Sequence, residues 1–169
     1  MSAHSAHSTQ ASPEPPIDAP DRRRLPPLLR RAWYGLNQTF RRRIAHAGAT
    51  PDQFTVLRTL TEADAGLTQS GLTRAMSSDP NTVASLLERM EKAGWLERRP
   101  HERDRRARLV RLKPAGRRKY AELRDLAVAL QTQILSILPA PQREKFLAQL
   151  AAVADACQTA GEDSPKKPQ

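Results

Sequence analysis

Apolar residues along most of this chain recur at helical spacing, and one short region interrupts them with the spacing of strands. Leu25, Leu28, Leu29, Ala32, Trp33, Leu36, Phe40 and Ile44 recur three and four residues apart, which predicts a long amphipathic first helix that Gly48 ends. Thr50-Pro51-Asp52-Gln53 then reads as a capping box with proline at the first helical position, opening a second helix with Phe54, Leu57 and Leu60 inward. After Asp64-Ala65-Gly66, Thr68 caps a short third helix that carries Leu72, Ala75 and Met76 and closes at Ser77-Ser78. Asp79 is a good N-cap and Pro80 fits the first turn of a fourth helix. There Val83, Leu86, Leu87 and Met90 form one apolar stripe, and Gly94 supplies the stop.

From Trp95 the period changes. Trp95-Leu96-Glu97-Arg98-Arg99 and Ala107-Arg108-Leu109-Val110-Arg111-Leu112 are short alternating segments around the polar run 100–106, the pattern of a β-hairpin with a long charged tip. Pro114 opens a fifth helix, running to about Leu138 through Leu123, Leu126, Leu130, Ile134 and Ile137. Pro139-Ala140-Pro141 breaks it, and a sixth helix carries Phe146, Leu147, Leu150 and Val153. The fold class is therefore mainly α with a small β-hairpin wing. Two short helices joined by a tight turn and followed at once by a charged hairpin have the order of a winged helix-turn-helix. Residues 1–21, rich in Ser, Ala, His and Pro, cannot offset their ordering entropy and read as a disordered N-terminal tail, His4 and His7 included; 159–169 read as a flexible C-terminal tail. Between them, 50–112 form the winged lobe, and 22–47 and 114–158 the flanking helices of one domain spanning 22–158.

Composition adds a partner. A formal net charge of +10 on 169 residues points to a polyanion, either nucleic acid or an acidic membrane surface. Eight of residues 22–43 are arginine and none is acidic, while 95–119 hold eleven basic residues against three acidic ones. No apolar run approaches the roughly 20 residues that span a bilayer, and no secretory signal opens the chain, so a cytoplasmic protein is expected. Aromatics are only 4% of residues, a thin supply for a monomeric core that suits helices shared between two subunits. Cys157 stands alone, excluding an intramolecular disulfide and a cysteine metal cluster; with no cations near it, it reads as a small apolar residue.

The fourth helix, residues 80–93, is the candidate recognition helix. Its apolar stripe turns Asn81, Thr82, Ser85 and Arg89 to the opposite face, where compact hydrogen-bonders could meet base edges in the major groove. A face meant only for water would more often carry Glu and Lys. At the hairpin tip, Arg103, Arg105 and Arg106 suit a narrow minor groove, and Asp104, repulsive to DNA, is expected to pair with a neighbouring arginine and fix the loop. Thr68, Ser70, Ser78 and Lys113 are candidates for the DNA backbone.

From about residue 22 to 156 the chain resembles the MarR family (multiple antibiotic resistance regulators). The resemblance rests on Asp104-Arg105-Arg106 followed by Leu109-Val110-Arg111-Leu112-Lys113-Pro114-Ala115-Gly116. Thr68-Gln69-Ser70-Gly71-Leu72, Asn81-Thr82-Val83, Leu86-Leu87-Glu88-Arg89-Met90-Glu91 and Gly94 also carry it. It implies that Asp104 braces the wing, that Arg106 enters the minor groove, and that Thr82, Ser85 and Arg89 face the major groove. It also implies a homodimer built from the terminal helices, an inverted-repeat operator on double-stranded DNA, and repression as the default outcome. Ser85 stands where many members carry arginine, so operator preference does not transfer. Lys113 replaces the usual threonine before Pro114, removing a side-chain cap. The first helix holds no cysteine, which argues against the peroxide-sensing branch.

Many relatives release DNA when a small aromatic molecule binds, and by resemblance Trp33, Tyr34, Phe40, Phe54 and Leu57 are the candidate pocket; aromatic residues at helical spacing are also ordinary core. The chain has no Gly-rich phosphate loop, no metal-spaced cluster and no Ser-His or Cys-His pairing, so neither an enzyme nor a cofactor is expected. His46 and His101 sit at a helix end and the wing tip. A ligand-independent regulator and a sequence-blind nucleic-acid binder remain the alternatives.

Overall fold

The computed structural model describes residues 19, 22–100 and 107–162. The six helices fall where the apolar periodicity places them: α1 Leu25–Ile44, α2 Pro51–Glu62, α3 Gln69–Ala75, α4 Pro80–Lys92, α5 Pro114–Leu135 and α6 Ala140–Glu162. Three strands, β1 Leu67–Thr68, β2 Leu96–Pro100 and β3 Arg108–Leu112, form one antiparallel sheet in the order β1-β3-β2. β1 escapes a period-based reading because two residues carry no period; its pairing of Leu67 with Val110 and Thr68 with Leu109 defines it.

The chain divides after Thr39 into two compact units. The first holds the N-terminal turns of α1, where Leu25, Leu28, Trp33, Tyr34 and Leu36 are exposed and the Gln38 side-chain amide donates to the Tyr34 hydroxyl at 2.6 Å. The second holds everything from Phe40 onward. Its core joins Ile44 to Val56, Leu57 and Leu60 of α2, Leu72 of α3, the stripe of α4, Leu96 and Val110 of the sheet, and Leu123 and Leu130 of α5. Among the described residues no polar or charged side chain is fully buried. Hydrophobic burial therefore fixes the lobe; each fully buried leucine contributes about 2–5 kcal/mol, judged by truncation to alanine.

Local signals set the helix boundaries. After a 3-10 turn at Ala45–Ala47, Gly48 adopts φ +64°, the left-handed conformation that stops a helix. The Thr50 hydroxyl accepts from the Gln53 N–H at 3.3 Å while the Gln53 side chain accepts from the Thr50 N–H at 2.9 Å, the reciprocal capping box expected. α5 stops at Leu135, earlier than its apolar pattern suggests; the Ser136 N–H still reaches the Thr132 carbonyl at 3.0 Å, and its hydroxyl donates to the Gln133 carbonyl at 2.7 Å.

Ala75 is exposed, since the seven-residue α3 buries only Leu72. Phe146 and Leu150 of α6 are exposed, with Leu147 and Val153 half-buried. One expectation is corrected: α6 continues through Glu162, into the stretch expected to be a flexible tail. Ala151, Ala152, Ala154, Ala156 and Ala160 sustain it by helix propensity without burial. No described helix is long and apolar enough to cross a membrane.

Candidate nucleic-acid interface

α4 is held from both ends and from beneath. At its start the Asp79 carboxylate accepts the Thr82 N–H at 2.9 Å. The Thr82 hydroxyl and N–H together hold the Asp79 carboxyl below the ordinary aspartate range. At its far end Gly94 takes φ +74°. Val83, Leu86, Leu87 and Met90 are buried at 0–3% exposure. Asn81, Thr82, Ser85 and Arg89 are consequently turned to solvent on one face. Thr82 shares that hydroxyl with the cap, leaving Asn81, Ser85 and Arg89 as the less committed members.

α3 leads into α4 through a turn in which Ser77 adopts φ +48° and the Ser78 N–H reaches the Thr73 carbonyl at 3.2 Å. Thr68 caps α3, accepting from the Gly71 N–H at 3.1 Å, and its hydroxyl lies 3.1 Å from that of Ser70. Thr68 and Ser78 are half-buried; Ser70 and Lys113 are exposed. Lys113 caps α5 without a side-chain hydrogen bond, as its identity predicts, and its N–H donates to the Trp95 carbonyl at 3.0 Å.

Beside these groups lies an open cleft of about 410 Å³ lined by Thr68, Gln69, Ser70, Thr73, Pro80, Ala107 and Arg108. Gln69, Thr73 and Arg108 were not singled out from sequence. Arg108 is exposed at the first position of β3, opposite Pro100, so the strand pairing delivers a cation to the starts of both helices. The candidate signal was its location: the first cation after the tip on the returning strand. Arg103, Asp104, Arg105 and Arg106 lie outside the described residues.

Among the described residues, an ion pair joins the wing to α4. Arg98 donates its backbone N–H to Glu91 Oε1 at 3.0 Å, and its Nε and Nη2 to Glu91 Oε2 at 2.8 and 2.6 Å. Those hydrogen bonds hold the Glu91 carboxyl below the ordinary glutamate range. At the base of the wing, Gly116 of α5 is packed against the Trp95 carbonyl. Lys119 lies 5.8 Å from the Trp95 ring centroid and donates to the Ala47 carbonyl at 3.0 Å.

Of the residues offered for a ligand pocket, Trp33 and Tyr34 are exposed in the first unit at 63% and 58%. Phe40, Phe54 and Leu57 are core of the second. The Phe40 and Phe54 rings meet edge-on at 5.0 Å, and Phe54 stacks on Tyr120 at 5.8 Å.

A helix pair whose second member presents polar groups outward, flanked by a clamped antiparallel ribbon, defines a winged helix-turn-helix protein. Residues 49–107 match the MarR family model. The chain is 28% identical over 125 residues to the transcriptional regulator HosA of Escherichia coli, an alignment covering 71% of this chain and 92% of HosA. Among solved structures it is similar to the transcriptional repressor CouR bound to a 23-mer DNA duplex, with 26% identity, a TM-score of 0.68, and 75% of this chain and 89% of CouR covered. It is equally similar to the PcaV transcriptional regulator of Streptomyces coelicolor in complex with its natural ligand, at 26% identity and a TM-score of 0.68 over 78% of this chain and 93% of PcaV. The match at residues 49–107 and these likenesses make the chain similar to MarR-type transcriptional regulators.

Proposed function

We propose that this protein is a cytoplasmic homodimeric repressor that reads an inverted-repeat operator on double-stranded DNA. The observation that carries the reading is α4 itself: one face wholly buried, the other exposing Asn81, Thr82, Ser85 and Arg89 where a major groove could receive them. In this reading Thr68, Ser70, Ser78 and Lys113 meet the phosphate backbone, and Gln69 and Arg108 join them from the cleft. Arg103, Arg105 and Arg106 enter the minor groove, with Asp104 bracing the loop. CouR, a repressor bound to a DNA duplex, supports both the partner and the outcome.

Homodimerisation is supported by exposed apolar surface in each unit. The first exposes Leu25, Leu28, Trp33 and Leu36; the second exposes Val128 and Ile134 on α5, Ile137 in the turn that follows, and Phe146 and Leu150 on α6. Two copies related by a two-fold axis would set their α4 helices on half-sites about one DNA turn apart.

Selection of bound fragments from the source genome tests this. An enriched inverted repeat with half-sites about 10 bp apart is expected. Equal, salt-sensitive binding to enriched and scrambled duplexes would instead favour sequence-blind nucleic-acid binding. Release by a small aromatic effector is a second element of the reading; PcaV, solved in complex with its natural ligand, supports the part of it that a ligand binds. Screening aromatic acids for thermal stabilisation and operator release tests it; a flat response in both assays establishes a ligand-independent regulator.

A further inference from the structure

In β2 the pairing of Leu96 with Leu112 and of Arg98 with Val110 puts Arg98 on the same face of the sheet as three apolar residues, the face that supplies Leu96 and Val110 to the core. Strand alternation calls for an apolar side chain there. An arginine at that position needs a partner, and Glu91, on the last turn of α4, provides one: the fork and the backbone N–H of a single residue engage both carboxylate oxygens. The side chains are 24% and 36% exposed, more enclosed than the exposed pair Lys92–Glu88 at 74% and 54% one turn away. Three directional bonds to one carboxylate restrict the angle between a helix and a strand far more than a single flexible contact does.

We propose that the Glu91–Arg98 clamp is the positioning device that fixes the wing relative to the recognition helix, and that Arg98, despite sitting in the most basic stretch of the chain, makes no DNA contact. The inference rests on the DNA-binding reading above. If α4 occupies one groove and the wing tip the next, their separation must match the duplex, and the clamp sets it where an ion pair among the described residues joins helix and ribbon. Glu91 is then an acidic residue that strengthens the binding of an anion.

That sign is testable. Replacing a carboxylate by a neutral amide near DNA should tighten binding through electrostatics alone. The clamp predicts the reverse: Glu91→Gln in the full chain weakens binding to the selected operator about tenfold, with loss of hydroxyl-radical protection in the minor groove flanking each half-site and retained protection at its centre. Glu88→Gln removes the same charge from the exposed pair and is expected to bind at least as tightly as the parent. Arg98→Lys keeps the charge but loses the fork; it should weaken binding and blur the flanking footprint, whereas a phosphate-contacting arginine would tolerate lysine. Folded fraction is followed by circular dichroism at the assay temperature; should Glu91→Gln not fold, Arg98→Lys carries the test. Parent-like affinity or an intact flanking footprint in a folded clamp variant overturns the proposal, as does weakening that merely tracks unfolded protein. Failure of the parent protein to protect any duplex would refute the DNA reading itself, a separate result.

Discussion

Replacing Gly116 with alanine sets two effects of opposite sign against each other. Gly116 lies in the first turn of α5, where alanine is intrinsically better by up to about 1 kcal/mol. A Cβ at this position would overlap the Trp95 carbonyl oxygen and lie 3.2 Å from Leu112 Cδ2. The carbonyl cannot swing away freely, because it accepts the Lys113 N–H at 3.0 Å and opens the strand whose Leu96 is 1% exposed. Overpacking of this kind costs about 1–3 kcal/mol, and weakening the Lys113 hydrogen bond costs about 1 kcal/mol more. The steric effect should win, with a net loss of about 2 kcal/mol. For a chain of this length that lowers the melting temperature by about 4–8 °C, leaving it folded at 25 °C. Urea unfolding followed by far-ultraviolet circular dichroism, at one protein concentration, reads the difference. Gly161→Ala in α6 is the control, since nothing lies within 4 Å of its Cβ position; it should be neutral or slightly stabilising. A Gly116→Ala protein as stable as the parent would mean that α5 does not approach the wing base this closely, and the reasoning would fail.

Other outcomes follow from the same geometry. Leu87→Ala should cost about 2–5 kcal/mol in urea unfolding, since Leu87 is fully buried on the inward face of α4; a change below about 1 kcal/mol would contradict that packing. The Asp79 carboxyl is held below its ordinary range, so its capping contribution is present at neutral pH and lost as pH falls through the acidic range. Asp79→Ala should therefore narrow its stability gap to the parent on acidification, and a gap constant from pH 7 to pH 3 would contradict the role. Phe146→Glu should shift the sedimenting species from dimer toward monomer; an unchanged dimer would remove α6 from the interface.

The fold was most legible where a few neighbouring residues decide the outcome. Asp79-Pro80 and the stripe Val83, Leu86, Leu87 and Met90 specify α4, its start and its outward face without reference to the rest of the chain. Where distant segments decide, sequence patterns were mute. β1 exists because β3 pairs with it; Gln69 and Arg108 meet at one cleft because a helix start and a strand start are packed together. Arg98 is the instructive case. Counted by charge it belongs to a basic patch, and its register with Leu96 hints that it turns inward, but only the position of Glu91 identifies its partner. The arginines of the tip, which carry much of the expected minor-groove contact, lie outside the described residues.

α6 runs for 23 residues, and none of those whose burial is described, 140–161, is buried. Such a segment owes little of its order to the chain that carries it, and a helix so weakly anchored opens readily to proteases. If a second subunit is what shelters it, surplus chains that find no counterpart would be cleared faster than assembled ones. The cellular amount of the regulator would then be trimmed toward its assembled form by turnover, without any dedicated control of its synthesis.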